Sequence, residues 1–309
     1  MNYFVEGLQG SGKSTLVQKL SDMNPGYSAV REGEYSPVEL SWCAYVDDDQ
    51  YHRILGKYPE LRLQIEKKTC SEGCKRVVCY TKVITENRDF YQDLEQYEIY
   101  NNRVPFDTFQ SIVLGRYRKW GTDRMIFECS LFQNIVEDMI LYRQARDEDI
   151  LSFYKQICEE LKGKEYRIVY LKASDIRGNL ETIRKERSDE HGHELWFPMM
   201  LGFFNNCPYA ESRGLKGEED LIRHFIHRQA LELRLCKEVF PDRSIILESK
   251  NYSEEDILNL LLSVSGFSPN SLDLTLNCND TFPVRRLGYD HDPGIRKALR
   301  MQHPGAAVL

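Results

Sequence analysis

Short apolar runs of strand length alternate along most of the chain with longer stretches of helical spacing. Residues 2–6 form an apolar run that stops at Gly7, as a buried strand does. Residues 13–22 follow with Leu16, Val17 and Leu20 on one helical face. Further strands are predicted at 28–31, 124–127, 167–172 and 244–247. Helices are predicted at 105–120, 132–146, 148–161, 176–187, 219–239 and 253–264. The last of these opens with Ser253 as its N-cap and acidic residues in its first turn. Five strands separated by helices imply a parallel sheet covered on both faces. Residues 47–104 interrupt this rhythm. Alternating stretches at 61–67 and 76–84 predict a β-hairpin or irregular insertion near the mouth of the site. After Gly266 the pattern gives way to polar runs with Pro269, Pro283, Pro293 and Pro304, which predicts an extended tail over 268–309. The expected division is thus one domain at 1–267, carrying the insertion, and the tail.

Composition narrows the function. The chain has 309 residues, 41% of them hydrophobic, enough for a sizeable core. Its net charge of -7 argues against general binding to nucleic acid or anionic membrane, which needs surplus Lys and Arg. No apolar run approaches a membrane span. Met1 to Val5 leads straight into a glycine loop with no leader, and the nine cysteines are scattered and odd in number. A cytoplasmic protein with reduced thiols is expected.

The strongest chemical signal lies between the first strand and the first helix. Gly7-Leu-Gln-Gly-Ser-Gly-Lys-Ser14 fits Gly-x-x-x-x-Gly-Lys-Ser in the strand–loop–helix setting that gives the pattern meaning. Backbone N–H groups of Gly7, Gly10, Ser11, Gly12, Lys13, Ser14 and Thr15 are expected to cradle phosphate oxygens at a helix N-terminus. Lys13 would reach the β- and γ-phosphates of a nucleoside triphosphate, and the Ser14 hydroxyl would hold Mg²⁺.

A kinase also needs a carboxylate for the metal, a group to orient or deprotonate the acceptor, and cations that follow the moving phosphoryl group. Glu128 ends the third strand of the alternating series, where strand C-termini line a ligand crevice. Glu32 and Glu34 end the second, and either can take a proton from an acceptor hydroxyl. Arg184 and Arg187, in the basic segment 184–187, can close over phosphates. No Asn-Lys-x-Asp segment of switch GTPases occurs.

In this order, with Thr108-Phe109-Gln110 on a helix and Phe127-Glu128-Cys129-Ser130 after a strand, the chain resembles the deoxynucleoside kinase and thymidylate kinase group of P-loop kinases over roughly residues 1–265. The resemblance implies a three-layer α/β sandwich with a five-stranded parallel sheet and a lid, to which this chain adds the insertion. It implies ATP as donor with Mg²⁺, and a nucleoside-like acceptor. It makes Glu34 or Glu32 the general base, Glu128 the support of metal and acceptor, Gln110 and Arg116 the acceptor-binding pair, and Arg184 and Arg187 the lid cations. Related kinases are often dimers, so a homodimer is an expectation that no residue here specifies. The chain departs from the family where Cys129 replaces an arginine, where Asn134 stands for a base-contacting Asp, and in the long 47–104 segment. A sugar or antibiotic acceptor, a nucleotide-sensing module without small-molecule kinase activity, and a kinase for nucleic-acid ends are the other readings, the last opposed by the acidic composition.

Three side groups read as structural. Cys70, Cys74 and Cys79 lack the paired spacing of a zinc site and read as free thiols. His191 and His193 read as a polar lid turn. Phe90, Tyr91, Tyr97 and Tyr100 read as packing, or as the lining of the acceptor's entry.

Overall fold

The computed structural model describes residues 1–194 and 196–262. The expected tail at 268–309, and the boundary at 267, lie outside them. A five-stranded parallel sheet is built from β1 (Asn2–Gly7), β2 (Ser28–Val30), β6 (Met125–Glu128), β7 (Tyr166–Lys172) and β8 (Ser244–Glu248), in the order β2-β6-β1-β7-β8. Between β2 and β6 the chain forms β3 (Ala44–Asp47), α2 (Asp48–Lys57), α3 (Arg62–Lys67), β4 (Thr69–Glu72), β5 (Lys75–Val78), α4 (Arg88–Glu95) and α5 (Phe106–Lys119). The other helices are α1 (Lys13–Met23), α6 (Gln133–Leu141), α7 (Asp147–Glu160), α8 (Ile176–Glu186), α9 (Trp196–Asn205), α10 (Pro208–Arg213), α11 (Glu218–Arg234) and α12 (Glu254–Leu262).

The strand period of two makes the three layers. Tyr3 and Val5 of β1 face α1 and α12, joining Leu16, Val17, Leu20 and Ile257 in one core. Phe4, between them, points the other way. It stacks on Phe127 at 5.0 Å and packs edge-on against Trp120, in a larger core shared with α5, α6, α7 and α11. Both faces of the central strands are therefore largely buried, which is why those strands read as continuous apolar runs. The register sets Val5 beside Glu128 and Gly7 beside Leu171, so the strand ends gather along one edge.

The insertion departs from the expected hairpin. It does contain a hairpin, β4–β5, but β3 adds to it and makes a three-stranded antiparallel sheet in the order β3-β5-β4. Residues 62–67, expected to alternate as a strand, form α3. Leu61 and Ile65 are buried four apart, a helical spacing that a short window confuses with alternation. α2 opens with a capping box in which Asp47 and Gln50 exchange hydrogen bonds. The unit has its own core of Val46, Ile54, Leu55, Ile65, Val78, Phe90 and Leu94. Arg116 ties it to the sheet domain: its guanidinium pairs with Glu72 and donates to the Ser36 carbonyl.

Two more boundaries moved. The helix expected over 132–146 ends at Leu141, and the one expected over 219–239 closes in a wider π-type turn over Leu235–Val239. Helices α9 and α10 were not expected.

Candidate functional site

The loop that leaves β1 is shaped by two glycines. Gly7 has φ +140, and a Cβ there would stand 2.6 Å from the Leu171 carbonyl oxygen and 2.8 Å from Ser11 Oγ, so only glycine lets the chain cross β7. Gly12 has φ +89 and is the N-cap of α1 without a side-chain cap, so the first N–H groups of that helix face the hollow of the loop. Lys13 folds back over it: its Nζ donates to the carbonyls of Gly7 at 2.9 Å and Leu8 at 2.8 Å. Ser11 Oγ is buried and without a hydrogen-bond partner among the described residues. Backbone donors, a helix N-terminus and an ammonium suit the phosphates of a nucleotide. The fold is P-loop NTPase-like.

The loop opens into a cleft of about 1180 Å³, which collects residues from most of the molecule. Glu128 ends β6 at its floor, and the Ser14 hydroxyl donates to Glu128 Oε1. A hydroxyl and a carboxylate in contact are hard oxygen donors of the kind Mg²⁺ takes. Among the described residues no group of three or more His, Cys, Asp or Glu is placed to hold a metal ion.

The two glutamates after β2 have different surroundings. Glu34 is exposed, and its Oε2 accepts the Arg31 N–H at 2.9 Å, closing its own turn. Glu32 turns inward. Its Oε1 accepts from Trp42 Nε1 at 3.0 Å and from Gln133 Nε2 at 3.2 Å. Burial pushes its carboxyl above the ordinary range, and the Trp42 hydrogen bond pulls it part of the way back.

The two arginines expected to serve as lid cations also separate. Arg187 lines the cleft and lies over the Trp196 ring, 5.0 Å from its centroid, with Glu32 and Glu128 among the carboxylates that act on it. Arg184 does not line the cleft. It pairs with Glu194 at 2.9 Å and Glu218 at 3.0 Å, and covers Phe197 at 4.0 Å. His193 pairs with Asp189 at 3.0 Å in the turn beyond. Gln110 and Arg116 are likewise not among the lining residues; Arg116 is occupied by the insertion.

Other residues line the cleft without having been singled out. Trp42 has a left-handed backbone, φ 61, and carries an indole to Glu32. Gln133 begins α6. Lys68 and Lys82 come from the insertion. Trp196, Met199, Met200 and Phe203 form an apolar wall on α9. Of these only α9 left a trace in the sequence, in the apolar run Trp-Phe-Pro-Met-Met-Leu-Gly-Phe-Phe. Tyr100, read as packing or lining, borders the cleft, whereas Phe90 and Tyr91 are buried in the insertion. Asn134 also borders it, with its amide donating to Ser41 Oγ at 2.8 Å and to the Cys129 carbonyl at 3.1 Å. Cys129 is buried with φ 56, and burial holds its thiol well above the ordinary range.

Behind the loop stands a buried ionic group. Arg228 is fully buried, donating to Glu137 at 2.7 Å and to the Gln9 side chain at 2.8 Å; Gln9 donates in turn to Glu137 at 3.2 Å. Although burial alone would raise it, the neighbouring Arg228 guanidinium draws the Glu137 carboxyl down to about 2. Glu6, the residue before Gly7, accepts backbone N–H bonds from Leu131 at 2.7 Å and Gln133 at 3.2 Å, which fixes the segment after Glu128. Burial pushes Glu6 up to about 7.

No family model matches the chain, and no curated protein matches it. Among the described residues no helix is long and apolar enough to cross a membrane.

Proposed function

We propose that the protein is a small-molecule kinase that transfers the γ-phosphoryl group of ATP to a hydroxyl of a nucleoside-like acceptor. One observation carries the reading. The phosphate loop, the Ser14–Glu128 pair and the inward-facing carboxylate of Glu32 open into the same cleft, which is large enough for two ligands. In this reading Lys13 and the loop amides hold the donor phosphates. Ser14 and Glu128 hold Mg²⁺, which when bound neutralises charge on the phosphate oxygens. Glu32, held at Oε1 and free at Oε2, orients the acceptor hydroxyl and takes its proton. Its raised affinity for protons makes it a stronger base than an ordinary carboxylate. Glu34, committed to its turn, is set aside. Arg187 supplies the cation over the transferred group, and Arg184 holds the lid helix to α11. The wall of Trp196, Met199, Met200 and Phe203 receives the flat or apolar part of the acceptor.

The test is ADP production from ATP and Mg²⁺ against nucleosides, nucleoside monophosphates, sugars and aminoglycosides. One acceptor class is expected to raise turnover well above background, and Lys13→Ala is expected to abolish the rise. Tight ATP binding with no acceptor-stimulated turnover would replace this reading with a nucleotide-sensing module.

A further inference from the structure

Gln133 is the most informative of the cleft residues that the sequence did not mark. It is the first residue of α6, is 4% exposed and lines the cleft beside Glu32. Glu32 Oε1 receives two donors, the Trp42 indole at 3.0 Å and the Gln133 amide at 3.2 Å. An indole N–H can only donate, so this carboxylate oxygen acts as an acceptor, and an amide oxygen turned towards it would be repelled. The amide orientation is therefore set by its neighbour. Nε2 faces Glu32, and Oε1 is left over as a hydrogen-bond acceptor. That oxygen is buried and has no hydrogen-bond partner among the described residues. A buried carbonyl oxygen without a partner is costly, and binding sites are where such groups are retained.

Resting on the kinase reading above, we propose that Gln133 is a specificity-determining residue, whose Oε1 accepts a hydrogen bond from a second donor on the acceptor, next to the hydroxyl that Glu32 engages. The acceptor then belongs to a definite chemical class: compounds with two hydrogen-bond donors on neighbouring carbons, polyols or amino alcohols. The insertion contributes to the same selection. Trp42, just before β3, shares Glu32 Oε1 with Gln133 and so keeps the amide from turning over.

The experiment measures kcat/KM with ATP and Mg²⁺ for matched acceptors: ribonucleosides, pentoses and hexoses, each paired with a deoxy counterpart lacking one hydroxyl. The unmutated protein is expected to favour the fully hydroxylated member of the productive pair by about 10- to 100-fold, the effect of leaving one buried polar group unsatisfied. Gln133→Met, similar in length but unable to accept through oxygen, is expected to shrink that preference to about threefold or less, with ATP affinity unchanged. Gln133→Glu keeps an acceptor oxygen in place and is expected to retain the preference. It should also move the pH dependence of the rate to higher pH, because a second carboxylate then faces Glu32. Equal use of both members of each pair by the unmutated protein, or a preference that survives in Gln133→Met, overturns the assignment and leaves the kinase reading standing. If Gln133→Met does not fold, the unmutated comparison and Gln133→Glu decide the matter. No turnover of any pair while ATP still binds overturns both.

Discussion

Glu32 has the environment a base needs. Two donors hold one oxygen, burial raises its proton affinity, and the second oxygen is free of hydrogen bonds from the named neighbours. Because its carboxyl titrates above the ordinary range, the ionised form accumulates late. The acceptor-stimulated rate is expected to rise with pH through that raised value. On the proposed kinase reading, Glu32→Gln removes the base without altering the donor loop, so kcat is expected to fall by about 10²–10⁴-fold with ATP affinity retained. Its remaining rate should lose the acidic limb of the profile. A variant with an unchanged pH–rate curve would remove Glu32 from the chemistry. Glu32 and Glu34 share a strand end and a charge, so spacing treats them alike. Trp42 and Gln133, ten and 101 residues further on, distinguish them by donating to Glu32, and neither announces this in the sequence.

The central parallel strands β1, β6 and β7 were legible because they are largely buried on both faces and bounded by turns, while the edge strands β2 and β8 are more exposed. The loop was legible because its glycines and Lys13 are contiguous. The insertion was read less well. Its elements are short, and a few apolar residues in α3 satisfy strand and helix periods alike. Gln110 and Arg116 were placed by resemblance, and the structure gives Arg116 another task. Arg116 is nearly buried, and Glu72 is partly so. Arg116→Met leaves that carboxylate with the Tyr35 hydroxyl and the Ser36 carbonyl without its arginine donor, so a loss of about 1–3 kcal/mol of stability is expected. Denaturant unfolding measures it. A loss below about 0.5 kcal/mol would show the insertion to be held by its apolar contacts alone.

Three buried carboxyls share an electrostatic direction. Burial pushes Glu6 and Glu39 up to about 7 and Glu98 up to about 8, from an ordinary value of 4.5. Between those values the folded chain holds protons that the unfolded chain has released. Stability therefore falls as pH rises through that window. Glu137, drawn down to about 2, acts in the opposite sense: its contribution is present above 4.5 and is lost as pH falls towards 2. Buried His224, held below its ordinary 6.5, also loses stability on acidification. From pH 6 to pH 8 the three carboxyls outnumber it, so the melting temperature is expected to be higher at pH 6. Equal or higher melting at pH 8 would mean that these carboxyls are ionised within the fold.

The Arg228–Gln9 hydrogen bond joins positions 219 residues apart, and Ser249 donates to the Ser11 carbonyl across 238. The loop at residues 7–14 therefore takes two of its supports from α11 and from the residue after β8, far along the chain. Contacts this distant along the chain form late, after the intervening polypeptide has closed a long loop. A nascent chain that stops before α11 carries the complete phosphate-binding sequence without the side chains that brace it. On the proposed kinase reading, a truncation before α11 is expected to weaken nucleotide binding although residues 7–14 are intact.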